Sequence, residues 1–290
     1  MKKIIILIPV FNDWQSLNKL LGEINLVIQN LKNVELHCYI INDASTSTPL
    51  KIENQKNIKT IKVFHMNKNR GHARCNAFGI RFLSSKENFD YLILMDGDGE
   101  DRPIEIEKLI EKTKSYPEYS IVAKRVKRSE GAFFKFLYEF HKLITFIFTG
   151  KKINFGNYSC ITFKDTKELS KKSSLWSSFS GSFKKHIKEY KEIDSIRGVR
   201  YFGPSKMSLY NLGVHSLAIM GVFRNMVFAR SLLLILLVHL FSVHLGIFAT
   251  VTQITLITFC FFVFLVSLRE NTKEFNESEQ NLLKIEKITH

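Results

Sequence analysis

The chain is predicted to be an α/β protein with a mainly parallel sheet covered by helices on both faces, a Rossmann-like architecture. Three observations predict it. Short β-branched runs alternate with stretches whose apolar residues recur at helical spacing, the pattern of strands joined by crossover helices. The runs are continuously apolar, as expected of strands buried on both faces. The first four end in polar loops, and ligands in such sheets bind beyond the carboxyl ends of the strands.

Taken in order, residues 3–10 form a first strand, closed by Pro9, Asn12 and Asp13. Residues 14–31 place Leu17, Leu20, Leu21, Ile24, Val27, Ile28 and Leu31 on one helical face. Residues 34–41 form a second strand ending in the turn residues 42–46. Residues 58–65 form a third, followed by a loop over 67–72 and a helix over about 73–84. The fourth is 91–95, and a helix over 104–115 has Pro103 near its first turn. Further strands are expected at 121–124, 155–163 and 193–201. The aromatic-rich stretch 133–148 is interrupted by Lys135, Glu139, His141 and Lys142, so it makes a poor membrane span. It reads either as a buried helix or as one lying in the membrane interface.

A formal charge of +15 over 290 residues calls for an anionic partner. Nucleic acid is disfavoured: no zinc-ligand spacing appears, and the basic residues are spread along the chain instead of forming a recognition helix. A membrane fits better. Apart from Arg230 at its front, the segment 229–268 contains no Lys, Arg, Asp or Glu, and it divides near 243–250 into two spans of about twenty residues. Arg224 and Arg230 flank one end, Arg269 and Lys273 the other, so the positive-inside bias predicts a hairpin with both flanks cytosolic. His239 and His244 inside the first span are read as neutral side chains packed between helices. The domains expected are a cytosolic domain over 1–205, a juxtamembrane amphipathic helix over 206–228, two transmembrane helices over 229–268 and a cytosolic polar tail over 269–290. Cys38, Cys75, Cys160 and Cys260 lie far apart and read as reduced core thiols. The opening MKKIIILIPVF is too short in its apolar part, and lacks the small-residue cleavage site, to be a signal peptide.

The chemistry centres on residues 91–103, YLILMDGDGEDRP. Asp96 and Asp98, separated by one Gly after a buried strand, can turn toward one point, as a hard cation such as Mg2+ or Mn2+ requires. The same pair could instead cap the helix that begins near Pro103.

With Ile8 to Asp13, residues 41–46, residues 69–74 with Gly79, residues 96–103, Arg125 with Arg128, and residues 203–206, the chain resembles a family 2 glycosyltransferase of GT-A fold. It is most similar to the polyprenyl-phosphate sugar synthases, the dolichyl-phosphate mannose synthase type and its bacterial undecaprenyl-phosphate relatives. The resemblance implies an inverting, metal-dependent transfer of a sugar from a nucleotide-sugar donor to a polyprenyl phosphate at the cytosolic face of the cell (inner) membrane. It implies Asp96, Asp98 and Glu100 as ligands of a divalent cation, Mg2+ or Mn2+, with the two Asp as catalytic residues. Pro9, Phe11, Asn12, Asp13, Asp43 and Arg74 would meet the donor. Arg125, Arg128, Arg200, Ser205 and Lys206 would meet the acceptor phosphate, since guanidinium forks and ammonium groups suit phosphate oxygens. The sequence departs from the family where Asn42 replaces an acid, where Asn157 stands in place of an Asp proposed as base, and at Arg102 and Ile104. A phosphate acceptor is largely ionised at neutral pH and needs no base. Transfer to a hydroxyl of a lipid-linked glycan or glycolipid, or an inactive membrane-anchored nucleotide-sugar-binding protein, are the alternatives. A homo-oligomer is compatible with all three.

Overall fold

The computed structural model describes residues 1–53, 55–127, 132–203 and 209–288. Arg128, Ser205 and Lys206, expected at the acceptor phosphate, lie outside the described residues.

The elements are β1 (Lys2–Val10), α1 (Trp14–Ile28), β2 (Val34–Asn42), β3 (Thr60–Met66), α2 (His72–Lys86), β4 (Tyr91–Leu94) and α3 (Glu105–Ser115). After them come β5 (Ser120–Lys127), α4 (Ala132–Thr149), β6 (Phe155–Thr162), α5 (Phe163–Leu169), α6 (Phe179–His186) and β7 (Tyr190–Ile196). The chain continues with α7 (Leu209–Val222), α8 (Arg224–Leu240), α9 (Ser242–Leu245), α10 (Ile247–Ser267), α11 (Thr272–Asn276) and β8 (Leu282–Ile288).

The eight strands form one sheet in the order β7-β5-β6-β4-β1-β2-β3-β8. β1, β2, β3 and β4 are mutually parallel, while β6 and β8 run antiparallel to their neighbours. The continuous apolar character of β1 follows from its place in the middle. Ile4, Ile6 and Ile8 point to the face covered by Leu17, Leu20 and Ile24 of α1 and by Ile106 and Leu109 of α3. Ile5 and Leu7 point to the other, covered by Phe78 and Ile80 of α2 and by Phe179 and Phe183 of α6. Each such fully buried side chain contributes about 1.5–3 kcal/mol. Gly79 lets α2 lie close to the sheet: a Cβ there would come within 2.4 Å of Leu7 Cδ2.

The segment 163–186 carries α5, a 3-10 turn at Ser173–Trp176 and α6, which the apolar pattern does not predict. Within the polar tail expected over 269–290, the described residues return to the sheet: β8 pairs antiparallel with β3, and Asn281 bonds the main chain of Lys68 both ways at 3.0 Å. The apolar region also differs in detail from the expected hairpin. α7 and α8 bend by 91° at Phe223, so the helix expected over 206–228 breaks there. α10, at 21 residues, is the helix among the described residues that is long and apolar enough to cross a membrane, spanning about 31 Å. α8 stops at Leu240 after 17 residues, is joined to α10 by the short α9, and packs directly against α10. Both leave Leu236, Leu237, Phe248, Ile254 and Phe261 exposed, an apolar surface larger than isolated surface residues produce. α4 packs on α7 and α8, with Phe148 buried and Phe140, Leu143 and Ile147 exposed. The four cysteines are free, three of them buried.

Candidate active site

A cavity of about 590 Å³ opens beyond the carboxyl ends of β1 and β4, bounded on the far side by α7 and by Arg269, two residues past the end of α10. Pro9, Phe11, Asp13, Arg74, Asp96, Asp98, Glu100 and Arg200 all line it. Eight of the residues singled out from the sequence therefore share one space.

The floor is the acidic loop after β4. Asp101 is fully buried and accepts a hydrogen bond from the Asp96 backbone N–H through Oδ2 at 3.0 Å, so it shapes the loop. Asp98 Oδ1 accepts from the Glu100 N–H at 3.1 Å, closing a tight turn around Gly99. Gly99 has φ +90°, and a Cβ there would also strike the Tyr201 ring. Asp96 Oδ1 accepts from Asn157 Nδ2 at 3.2 Å. The residue standing in for the family's proposed base thus donates to the Asp96 carboxylate.

The loop leaving β7 is stitched onto this floor. Glu105, buried in the first turn of α3, accepts from the Ser195 hydroxyl at 2.6 Å and the Ile196 N–H at 3.0 Å. From there the Gly198 N–H donates to the Glu100 carbonyl at 2.8 Å and the Tyr201 N–H to the Asp98 carbonyl at 2.9 Å. Arg197 is thereby held against Glu100, and Arg200 between Asp13 and Asp98, with 2.8 Å to the latter. Arg200 was expected at the acceptor phosphate, and its place is among the carboxylates. Arg125, expected there too, lies 3.9 Å from Asp101 with its guanidinium against Gly156.

The electrostatics follow from crowding. Burial, reinforced by Asp96 and Glu100, pushes the Asp98 carboxyl up to about 6. Burial and Asp96 push Asp101 up to about 7. Among the described residues no three His, Cys, Asp or Glu side chains converge as a finished metal cage. The donor chemistry still fits a hard cation, because Mg2+-type ions take one or two carboxylates and complete their shell with water and substrate phosphates. Asp96 and Asp98 both line the cavity and supply such oxygens. Glu100 would join them only by releasing Arg197.

Other expected donor residues act on the loops. Asp43 is buried, and its two oxygens accept from the Arg70 N–H at 2.9 Å and the Gly71 N–H at 2.7 Å, fixing the turn into α2. Asn12, with φ 50°, accepts from the Thr46 and Ser47 N–H groups at 2.8 and 2.9 Å, tying the β1 loop to the β2 loop. Asn42, at the position of an acid in relatives, accepts from the Ser45 N–H at 3.0 Å and meets His65 at 3.1 Å. Sequence reasoning missed Arg197, His72, His215 and Arg269 as cavity residues. His72 and His215 face one another with ring centroids 6.2 Å apart. Burial pushes His215 down to about 4, so its imidazole is neutral at pH 7 and a weak base.

Comparison with known proteins agrees with this architecture. The chain matches the family described as Glycosyl transferase family 2 over residues 5–191, more than half its length. It is 29% identical over 111 residues to an uncharacterised protein of Methanocaldococcus jannaschii, a match covering 37% of this chain and 45% of that protein. The chain thus spans about half the length of the curated relative it matches. Among solved structures it is similar to a mannosyltransferase from Pyrobaculum calidifontis in complex with GDP-Man and Mn2+ (TM-score 0.54, 10% identity, 91% of this chain and 86% of that one). It is also similar to glucosyl-3-phosphoglycerate synthase from Mycobacterium tuberculosis in complex with Mn2+, UDP-Glc and phosphoglyceric acid (TM-score 0.53, 11% identity, 78% and 80% covered). A third is mannosyl-3-phosphoglycerate synthase from Rubrobacter xylanophilus (TM-score 0.54, 12% identity, 76% and 72% covered). At these identities the likeness is one of fold.

Proposed function

The chain belongs to Glycosyl transferase family 2, and on that premise we propose that it transfers a sugar from a nucleotide-sugar donor to a polyprenyl phosphate at the cytosolic face of the cell membrane, with inversion. One observation carries the reading. The cavity holding Asp96 and Asp98 is walled on its far side by α7 and by Arg269, two residues past the end of the apolar helix α10. An acceptor embedded in a bilayer would arrive there.

Asp96 and Asp98 would hold Mg2+ or Mn2+, with Glu100 as a third ligand once Arg197 moves. When bound, the cation stabilises the negative charge on the departing nucleoside diphosphate without proton transfer. Phe11, 41% exposed at the cavity rim, offers a face for the base. Asp13 and Arg74 border the donor, while Asn12 and Asp43 hold the loops that carry them. Arg128, Ser205 and Lys206 remain candidates for the acceptor phosphate. Arg125 and Arg200 would reach it only by leaving Asp101 and Asp98. The acceptor phosphate is already ionised near pH 7, so positioning and charge stabilisation suffice. The weak basicity of His215 and the amide at Asn157 favour this acceptor over a hydroxyl, which would need a base. Two crossings by α8 and α10 are supported by β8: the chain re-enters the sheet after α10, so it leaves and returns on one side.

The test incubates membranes containing the protein with a panel of labelled sugar nucleotides and undecaprenyl phosphate, with and without Mn2+. A mild-acid-labile labelled lipid from one donor is expected, dependent on the cation. Label appearing only on a hydroxyl acceptor would contradict the reading.

A further inference from the structure

Opposite the acidic floor, the cavity has a basic wall assembled from two distant parts of the chain. Arg74 comes from the first turn of α2, and Arg269 is the second residue after α10 ends. Both line the cavity. Their neighbours are neutralised. Arg70 pairs with Glu274 at 3.0 Å, and Arg224 lies 3.6 Å from Glu270, which also accepts from the Ser173 hydroxyl at 2.8 Å. Glu270, next to Arg269 in the chain, is therefore occupied elsewhere. Among the described residues neither Arg74 nor Arg269 is in ion-pair contact with a carboxylate. The Arg74 guanidinium donates to the Arg70 carbonyl at 3.3 Å and stacks 5.7 Å from the Trp176 ring. Burial, and next the nearby Arg269, push the Arg74 guanidinium below its usual range. Glu274 and Asp43 act on Arg74 from beyond contact and offset only part of this, so an anion bound between the two guanidinium groups would relieve their repulsion. The N-terminus of α2 faces the same cavity, where Gly71 has no side chain to cap it and its own N–H is held by Asp43.

We propose that Arg269 binds the phosphate group of the membrane-borne acceptor, with Arg74 beside it on the donor side of the cavity. The position of Arg269 selects this source over the donor's diphosphate. It stands where the chain emerges from its most apolar helix, at the level where a lipid phosphate sits. Gly221 of α7 lies against Ser267 at that end of α10, where an added Cβ would come within 3.2 Å of the Ser267 main chain. Val214 and Ala218 of the same α7 continue the cavity wall with apolar surface for the first isoprene units. Arg forks bind the oxygens of a phosphate monoester through two parallel hydrogen bonds. The proposal rests on the polyprenyl-phosphate reading above.

The test is calorimetric titration of the detergent-solubilised full chain with farnesyl phosphate, with farnesol, UDP and GDP in parallel. Wild-type protein should bind farnesyl phosphate and not farnesol. Arg269→Ala should weaken farnesyl phosphate about ten- to hundredfold while leaving the nucleoside diphosphates within about twofold. Arg269→Lys, which keeps the charge and loses the fork, should fall between; it also carries the comparison if the alanine variant does not fold. Unchanged farnesyl phosphate affinity in both variants would overturn the assignment and leave the function standing. Equal weakening of UDP or GDP would overturn it in favour of a donor role. Absence of farnesyl phosphate binding by wild-type protein would overturn the lipid-phosphate function itself.

Discussion

The two ends of the sheet both carry carboxylates and treat them in opposite ways. At the amino end, Glu87 accepts from Lys62 at 2.6 Å, the Tyr39 hydroxyl at 2.9 Å and Lys3 at 3.3 Å. Burial works against its charge, yet these donors hold it below the usual carboxylate range. At the carboxyl end, Asp13, Asp96, Asp98, Glu100 and Asp101 crowd together with Arg125, Arg197 and Arg200, five acids against three guanidinium groups. There Asp98 rises to about 6 and Asp101 to about 7. The amino end is complete within the chain. The carboxyl end carries an excess of negative charge on its floor and of positive charge on its far wall, which a cation and a phosphorylated ligand would satisfy together.

The largest effect should come from Asp98→Asn. It should lower sugar transfer by about 10²–10³-fold or more, yet leave the melting temperature unchanged or raised, because it relieves repulsion within the acidic loop. Glu87→Gln should do the reverse, lowering stability by about 2 kcal/mol by stranding Lys62, with transfer per folded molecule unchanged. A destabilised Asp98→Asn would erase the contrast between the two ends.

The contrast also sets a pH dependence. Glu87 has a lowered folded pKa, so its stabilisation is present above the unfolded value near 4.3 and is lost as pH falls through the folded value. Asp98 and Asp101 have raised folded values, so stability falls as pH rises from about 4 through about 6 and 7. Without added cation, melting temperature should therefore fall from pH 5 to pH 8. Glu87→Gln should flatten the acid limb, and Asp98→Asn the alkaline one. Added Mn2+ should raise the melting temperature more at pH 8 than at pH 5.

The smallest effect should be Lys2→Ala. It removes a bridge to Asp90 in which the Lys2 side chain is 58% exposed, and it should cost under about 1 kcal/mol in a denaturant melt.

Much of this was legible in the sequence because the central strands are buried on both faces and therefore read as unbroken apolar runs. The acidic loop after β4 and the turn into α2 were found the same way, since each follows such a run. What was not legible has a physical cause in each case. α5 and α6 are 7 and 8 residues long, too short to display a period. β8 is an exposed edge strand, LLKIEKI, whose pairing with β3 depends on a contact more than 200 residues away in sequence. The break at Phe223 lies between Gly221 and the polar pair Arg224 and Asn225, residues that the surface helix expected over 206–228 would also accommodate. Arg200 was assigned to a phosphate and Arg197 missed because a guanidinium suits phosphate and carboxylate equally, and only the hydrogen bonds of Gly198 and Tyr201 to the acidic loop bring both against carboxylates. Arg269 read as a flank of a span, and the fold turned it into the cavity.

The central claim, that the carboxyl end of the sheet is a site for a divalent cation and a nucleoside diphosphate, is tested most directly by calorimetric titration of UDP and GDP into the wild-type chain and Asp98→Asn, with Mn2+ and with EDTA. The account predicts that one nucleotide binds the wild-type chain in Mn2+, that EDTA weakens it at least about tenfold, and that Asp98→Asn removes the difference. Binding of equal strength in EDTA, or in Asp98→Asn with Mn2+, would contradict it.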